Sequence, residues 1–481
     1  MLRSTERPSL PVAQTPQTSP SEESLRLPRP ATAATTGSAD HRIFRAATIL
    51  SSLAGLVLVA TTAKELAVAN FFGRGDALDA YLTAYVLPSF VVNIVAGSFN
   101  SAVIPTFVEV RERDGAAAAQ RLFSSAMVWS LAVLGALSLL LAALAPWYLP
   151  LLGSGFTVAK LLLTRKLLYL LLPLVVMSAI TVNGTAVLNA GERFALPALL
   201  PILAPLGGLA ALLAFGRTWS IYALAAGTVA GTALQAWGLA RTARSHGISL
   251  RPRWYGLDPK LRQVIGQYVP MVAGALLMSS TDLVDQSMAA MLPPGSVSAL
   301  SYARKIVTVL VVVGAMPLGA AALPYFSEMA AKQDWASCRK TLRTYSGLVA
   351  LVTVPATVGL FLFAQPLVRI LFQRGAFTAH DTLIVARTEA WLALEIPFYV
   401  LATLGVRLVS ALKRNGALMA ITALNTVLNA VLNWVLMRRY GVAGIALSTS
   451  IVYLVSCALV FGLLYVLIGE RLDRNPLTPT T

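Results

Sequence analysis

The sequence predicts an all-α, polytopic membrane protein of about twelve transmembrane helices, built as two six-helix bundles related by pseudo-two-fold symmetry. Three observations predict it. Of 481 residues, 57% are hydrophobic and only 12% charged, and mean hydropathy is +0.71. Apolar runs long enough to cross a bilayer recur along most of the chain. Short signatures recur at an interval near 220 residues.

Composition comes first. A soluble domain carries about 25% charged residues, and this chain has too few to cover a water-facing surface. Soluble enzymes, nucleic-acid readers and disordered scaffolds are therefore excluded for the bulk of it. The net charge of +17 fits basic cytoplasmic loops better than a nucleic-acid partner. Cys338 and Cys457 fit no metal or redox spacing, and His41, His246 and His380 do not cluster. No Walker loop, metal-ligand cluster or nucleophile–base arrangement appears, so the chain reads as a non-enzyme without a cofactor.

Residues 1–41 are rich in Pro, Ser, Thr and Ala and hold no apolar run. Such a segment cannot offset its ordering entropy, which predicts a disordered cytoplasmic tail. It is not a signal peptide, because the first apolar stretch runs on as a full span. A bilayer core needs roughly 20 apolar residues per helix. That ruler places spans at 43–69, 79–108, 120–145, 161–188, 195–215, 219–240, 264–292, 297–325, 342–363, 382–411, 417–437 and 443–468. Trp147, Trp219, Trp254 and Trp335 fall at or just beyond span ends, where an amphipathic ring is comfortable.

Lys and Arg set the orientation. One set of connections holds Arg111, Arg113, Arg121, Arg193, the run from Arg241 to Arg262, Lys332, Arg339, Lys340, Arg343, Lys413 and Arg414. The opposite set is sparser, and only Arg438–Arg439 runs against the trend. The richer side is cytoplasmic, which puts both termini there. The organisation expected is a tail to 41, one bundle over 42–241, a cytoplasmic linker over 242–263, a second bundle over 264–469 and a tail over 470–481.

The repeat links the bundles. Ile104-Pro105-Thr106-Phe107 closes the second span and Leu323-Pro324-Tyr325-Phe326 the eighth. Gly155-Phe156-Thr157 is echoed by Gly375-Ala376-Phe377-Thr378, and Ala190 with Arg193 by Ala411 with Arg414. Two six-helix halves have the same orientation, so the axis relating them lies along the membrane normal, a plan used by alternating-access transporters.

Further residues carry a family resemblance. Phe72-Gly73-Arg74-Gly75-Asp76-Ala77-Leu78-Asp79-Ala80-Tyr81, then Leu87-Pro88, Gly97-Ser98-Phe99-Asn100 and Ile104-Pro105, resemble the first two helices of the MurJ/MviN family. Gly295-Ser296-Val297-Ser298 with Tyr302-Ala303, the Leu323-Pro324 helix end and Phe372-Gln373-Arg374-Gly375 add to the likeness, which covers roughly 43–468. The resemblance implies a fold of the multidrug/oligosaccharidyl-lipid/polysaccharide exporter superfamily and lipid II flipping across the bacterial inner membrane. It implies a cavity in which the family's Arg-Asp pair corresponds to Lys64-Glu65, and the cavity Arg of its eighth helix to Lys305, preceded by Arg304. An Arg of its second helix corresponds to Val92 or Asn93. Family members commonly have two further helices. Lys lacks the bidentate fork that suits phosphate, so a lipid-linked exopolysaccharide repeat unit stands beside lipid II as cargo. A cation-coupled multidrug antiporter of the same superfamily is the rival reading.

Ionisable groups inside spans cost roughly 2.5–3.5 kcal/mol each on insertion scales unless paired or hydrated. They mark a structural ion pair or a cavity lining. Lys64, Glu65, Asp79, Arg304 and Lys305 are the substrate-binding candidates. Adjacent helical residues point about 100° apart, so Lys64 and Glu65 are expected to have separate partners, with Asp79 nearest to Lys64. Asp282 and Asp285 share a face of the seventh span at the depth of Arg304 and Lys305, so pairing across that hairpin is expected. Adjacent carboxylates there would suit proton coupling. Glu395, midway along the tenth span beside Pro397, is the single best candidate for an H+ or Na+ site. Asn425, Asn429 and Asn433 form a polar stripe on the eleventh span, for interhelical hydrogen bonds or cavity lining. The partners expected are a lipid-linked sugar and membrane lipids, not nucleic acid, with the chain as a monomer.

Overall fold

The structure, a computed structural model, describes residues 36–473 apart from 192, 248, 250, 257 and 258. The expected tails therefore lie outside the described residues up to 35 and from 474 onward. Among the described residues, fifteen α-helices follow one another: α1 (Thr36–Phe72), α2 (Asp76–Asp114), α3 (Ala116–Leu152), α4 (Val158–Leu171), α5 (Pro173–Ala190), α6 (Ala195–Leu199), α7 (Leu203–Trp219), α8 (Ile221–Ser245), α9 (Pro259–Ala289), α10 (Ser296–Ala331), α11 (Trp335–Phe372), α12 (Ala379–Ala393), α13 (Glu395–Ala411), α14 (Asn415–Tyr440) and α15 (Val442–Asp473). Residues 36–41, expected as tail, instead open α1. A helix nucleated by an apolar run gains one hydrogen bond per added residue and so extends into its polar flank. Among the described residues, those up to Ser51 and those from Ser52 onward fall into separate units, and the core, cavities and ion clusters described here all belong to the second.

Among the described residues, nine helical segments are long and apolar enough to cross a membrane. Three of them are interrupted: α4 with α5, α6 with α7, and α12 with α13 each count as one span. Proline explains the breaks. Pro173 stands at the first position of α5, a 3-10 turn at Leu200–Ile202 contains Pro201, and Pro397 follows the start of α13. α8, α9 and α10, of 25, 31 and 36 residues, are also long enough to span a bilayer.

The sequence repeat is a repeat of helix starts. Asp76, Ala116, Val158 and Ile221 open α2, α3, α4 and α8, and Ser296, Trp335, Ala379 and Val442 open α10, α11, α12 and α15, each 219 to 221 residues later. The Gly-Phe-Thr echo has a physical meaning. The Thr157 hydroxyl caps α4 by accepting from the Lys160 N–H, and Thr378 caps α12 by accepting from the Asp381 N–H. Asp381 completes that turn by accepting from the Thr378 N–H at 2.9 Å. Before α11, Asp334 caps the helix by accepting the Ser337 N–H, which holds its carboxyl below the usual carboxylate range.

The apolar core has one shared end and two separate ends. At the α1–α2 end a single cluster joins both repeats, with Tyr81, Leu168 and Leu171 from one half and Tyr302, Phe372, Phe377 and Val385 from the other. At the opposite end the core divides. One cluster holds Phe107, Phe123, Val175 and Leu261, the other Phe326, Trp335, Leu342 and Leu408. Between α7 and α8 the packing rests on glycines, as in many membrane helix pairs: a methyl added at Gly207 would lie 2.7 Å from Gly231 Cα. Arg438, the basic residue against the loop trend, stacks 4.1 Å over the Trp434 ring.

Candidate functional site

Three charged side chains from α1 and α10 form one ion cluster, with a carboxylate at its centre. Lys64 Nζ lies 2.8 Å from Glu65 Oε1, and Lys305 Nζ bonds to Glu65 Oε2. Each oxygen of Glu65 thus holds one ammonium, and the group carries a net charge of +1. This corrects two expectations. Lys64 and Glu65 are partners although adjacent, because the four-carbon Lys stem is long enough to curl back beside its neighbour. Lys305 pairs with Glu65 rather than with Asp282 or Asp285, since it points to α1 while Arg304, one residue earlier, points to α9.

Two cavities meet at this group. One, of about 240 Å³, is lined by Lys64, Glu65, Lys305, Tyr81, Tyr85 and Gln286 among others. Tyr81 and Tyr85 stack within it, with ring centroids 6.0 Å apart and planes 5° apart. The Gln286 Oε1 atom there is buried with no hydrogen-bond partner among the described residues. The other cavity, of about 460 Å³, is apolar and lies between α1, α10 and α11, where Leu58, Val309, Leu310, Leu360, Leu367 and Leu371 line it. Glu65 and Lys305 line both. The arrangement places a cationic, aromatic chamber and a greasy groove on two sides of one ion cluster, a shape suited to a molecule with a polar anionic head and a hydrocarbon tail.

A second cluster is closed on itself. Asp285 is fully buried and accepts from Arg304 at 2.6 Å, Asn433 Nδ2 at 2.8 Å and Thr449 Oγ1 at 3.2 Å. Arg304 also bonds to Asp282, so the expected pairing across the α9–α10 hairpin forms through Arg304 alone. Asn433 donates to Asn429 as well, at 3.2 Å, and both are fully buried, while Asn425 is half-buried. Glu395 is the first residue of α13, and its Oε2 is buried without a partner among the described residues.

Asp79 belongs to neither cluster, which corrects its expected place beside Lys64. Its carboxylate is buried and accepts from Lys160 Nζ at 2.9 Å, Gly295 N–H at 2.7 Å and Ser298 N–H at 2.8 Å. Asp79 lies near the opening of α2, close to the start of α10, so it reaches across to the free N–H groups there. Around it, Arg74 bonds to Asp381 at 3.0 Å and to the Pro294 carbonyl at 3.3 Å. Tyr302 donates to the Gly73 carbonyl at 3.1 Å, and Ala376 N–H to that of Asn70 at 2.9 Å. A methyl at Gly295, which has φ +84°, would meet Arg74 Cγ at 2.7 Å, so glycine is required there twice over. These contacts tie the two repeats together at the α1–α2 end.

Sequence reasoning missed Lys160, Arg74 and Asp381. Lys160 and Arg74 sit at span borders and read as ordinary loop cations. Asp381 carried a signal in Thr378-Ala379-His380-Asp381, a helix-start pattern in which an acid three residues after Thr is fixed in place.

Known proteins share this architecture. The family described as "Lipid II flippase MurJ" matches residues 68–473. The lipid II flippase MurJ of Burkholderia cenocepacia is 28% identical over 365 residues, 72% of this chain and 69% of that protein. A probable lipid II flippase MurJ of Synechocystis is 27% identical over 428 residues, 83% of this chain and 78% of that one. Among solved structures, a lipid II flippase MurJ in an inward closed conformation superposes with a TM-score of 0.76 at 21% identity, covering 87% of each chain. An inward-facing multidrug resistance transporter of the MATE family superposes with a TM-score of 0.73 at 13% identity, covering 89% of this chain and 99% of that one.

Proposed function

The chain belongs to the lipid II flippase MurJ family, and from that premise we propose that it moves an undecaprenyl-diphosphate-linked sugar, lipid II or a close relative, across the bacterial inner membrane by alternating access. It is a membrane transporter and not an enzyme. One observation carries the substrate reading: Glu65 and Lys305 stand between a polar chamber and an apolar groove. The diphosphate would take Lys64 and Lys305 from Glu65 in a charge-assisted pairing. The sugar would rest against Tyr81 and Tyr85, and the isoprenoid tail would lie in the groove towards lipid.

The architecture we propose is twelve spans in two six-helix halves, 42–241 and 264–469, about a pseudo-two-fold axis along the membrane normal. The helix starts repeating every 219 to 221 residues support it, with α8, α9 and α10, each 25 residues or longer, added to the nine candidate segments. The excess of Lys and Arg on one set of loops supports cytoplasmic termini and makes the α1–α2 end periplasmic. The shared core and the Asp79 and Arg74 contacts would then form a periplasmic latch, while at the cytoplasmic end Val264 and Tyr268 of α9 pack with Phe107 and Phe123 of the first half. Transport would require the latch to open and the cytoplasmic contacts of α9 with α2 and α3 to rearrange. The protein is proposed to act as a monomer.

The test is flipping by the purified chain in vesicles. Fluorescent lipid II placed in the inner leaflet should become accessible to a membrane-impermeant quencher only when the protein is present. A rate equal to that of protein-free vesicles, for both lipid II and an undecaprenyl-diphosphate-linked repeat unit, would contradict the reading.

A further inference from the structure

Glu389 lies on the most buried stripe of α12. Val385, Ala386, Leu392 and Ala393, with Ile396 past the break, are each at most 5% exposed and follow helical spacing. Val385 and Ala386 belong to the core shared by the two halves. Leu392, Ala393 and Ile396 belong to a cluster with Ala303, Val307, Val349 and Ala446. In the middle of this apolar stripe stands a carboxyl group, itself 0% exposed. Neither of its oxygens has a hydrogen-bond partner among the described residues. The other buried acids differ: Glu65, Asp79, Asp285 and Asp381 each accept from a cation.

The charged and titratable groups near α12 are engaged or turned away. The helices packed on it are α10, α11, α13 and α15. On α10, Tyr302 donates to Gly73, Arg304 to Asp282 and Asp285, and Lys305 to Glu65. On α11, Arg369 lies one turn from the helix end at Phe372. On α13, Arg407 is exposed and Glu395 is six positions further on, off the face of Glu389. On α15, Tyr453 packs edge-on against Tyr399, and Cys457 is half-buried. On α12 itself, Asp381 is paired with Arg74, His380 is exposed in the first turn and Arg387 is exposed on the opposite side.

An ionised carboxylate in such a place has lost its water and gained no donor, which is steeply unfavourable. The neutral acid avoids most of that cost. The helix that carries it is also built to bend. Pro397 cannot donate to the Ala393 carbonyl, and Thr357 Oγ1 donates there instead at 3.4 Å. Ser450 Oγ donates to the Trp391 carbonyl at 2.7 Å. Hydroxyls of α11 and α15 thus take up carbonyls at the α12–α13 break and can release them without rupturing a continuous helix.

We propose that Glu389 is a proton-binding site, filled while the α12 stripe is packed and emptied when bending at the break opens it to water, so that transport is linked to proton movement. The linkage rests on the transporter reading; occupancy of the site by a proton does not.

The experiment has two readouts on the full chain. In detergent at neutral pH, infrared spectroscopy of the Glu395→Gln chain should show a protonated-carboxyl band that adding Glu389→Gln removes. Glu389→Gln, neutral and close in shape, should keep wild-type abundance and melting temperature. In vesicles with a pH gradient and no membrane potential, wild-type flipping of fluorescent lipid II should change several-fold with gradient direction, and that of Glu389→Gln should not. A band unchanged by Glu389→Gln, or failure of that variant to fold, overturns the proton site. A wild-type rate indifferent to the gradient overturns the linkage. Absence of any wild-type flipping, with the band lost in Glu389→Gln, contradicts the flippase reading and leaves the proton site standing.

Discussion

Asp79, in the first turn of α2, accepts the backbone N–H of Ser298, in the first turn of α10, at 2.8 Å, and the two helices open 220 residues apart. Corresponding segments of two repeats can touch only near the axis that relates the halves. Arg74 and Pro294, 220 residues apart, do the same at 3.3 Å. The latch therefore sits on the proposed axis, where a small rotation of the halves breaks all its bonds together.

Asp79→Asn tests the latch. An amide offers one acceptor oxygen to the two backbone N–H groups and no charge to Lys160, which keeps Asp76 at 2.6 Å. The expected loss is about 1–3 kcal/mol of the latched state. Cysteines introduced at Arg74 and Pro294 should cross-link less in this variant than in its absence. Unchanged cross-linking would show that Asp79 does not hold the latch.

Arg304 and Lys305 are neighbours with different work, and their variants should separate. Arg304→Gln leaves the fully buried Asp285 without a cation, at about 3–5 kcal/mol. Adding Asp285→Asn should recover most of that loss, because no charge is then buried alone. Lys305→Gln leaves Glu65 paired with Lys64 and should cost only about 1 kcal/mol. Thermal unfolding in detergent reads all three. Equal losses at 304 and 305 would contradict the division into a structural and a binding cluster.

Much of this is legible in the sequence. Composition and apolar runs announce a helical membrane protein because the bilayer imposes both. The recurring Thr157 and Thr378 signatures announce the repeat because a helix start needs a cap. Depth counting along a hairpin is enough to bring Asp282, Asp285 and Arg304 together. What escapes the sequence needs side-chain reach or contacts between distant segments. Lys64 folds back on Glu65 by a flexible stem that helical angles do not describe. Asp79 is satisfied by N–H groups at 295 and 298, which no sequence pattern ties to it. Glu389 is invisible because an isolated Glu in an apolar run looks the same whether it faces water or core.

The groove makes a prediction of its own. Leu310→Trp or Leu367→Trp should fill the apolar cavity without adding charge. Flipping of a full-length undecaprenyl substrate should fall several-fold, while a short-tailed analogue is flipped at a wild-type rate. Equal effects on both substrates would remove the tail from the groove.

Lys64 and Lys305 are proposed to hold the diphosphate between chamber and groove, and substitutions at Lys305 decide it. Flipping of fluorescent lipid II in vesicles should be abolished in Lys305→Ala at unchanged membrane abundance and with only a small fall in melting temperature. It should be retained in Lys305→Arg, which keeps charge and reach. Adding Glu65→Gln to Lys305→Ala should not restore it, because neutralising the carboxylate supplies no phosphate ligand. Wild-type flipping by Lys305→Ala, or rescue by Glu65→Gln, would contradict the diphosphate role, since Lys305 would then serve only to balance Glu65.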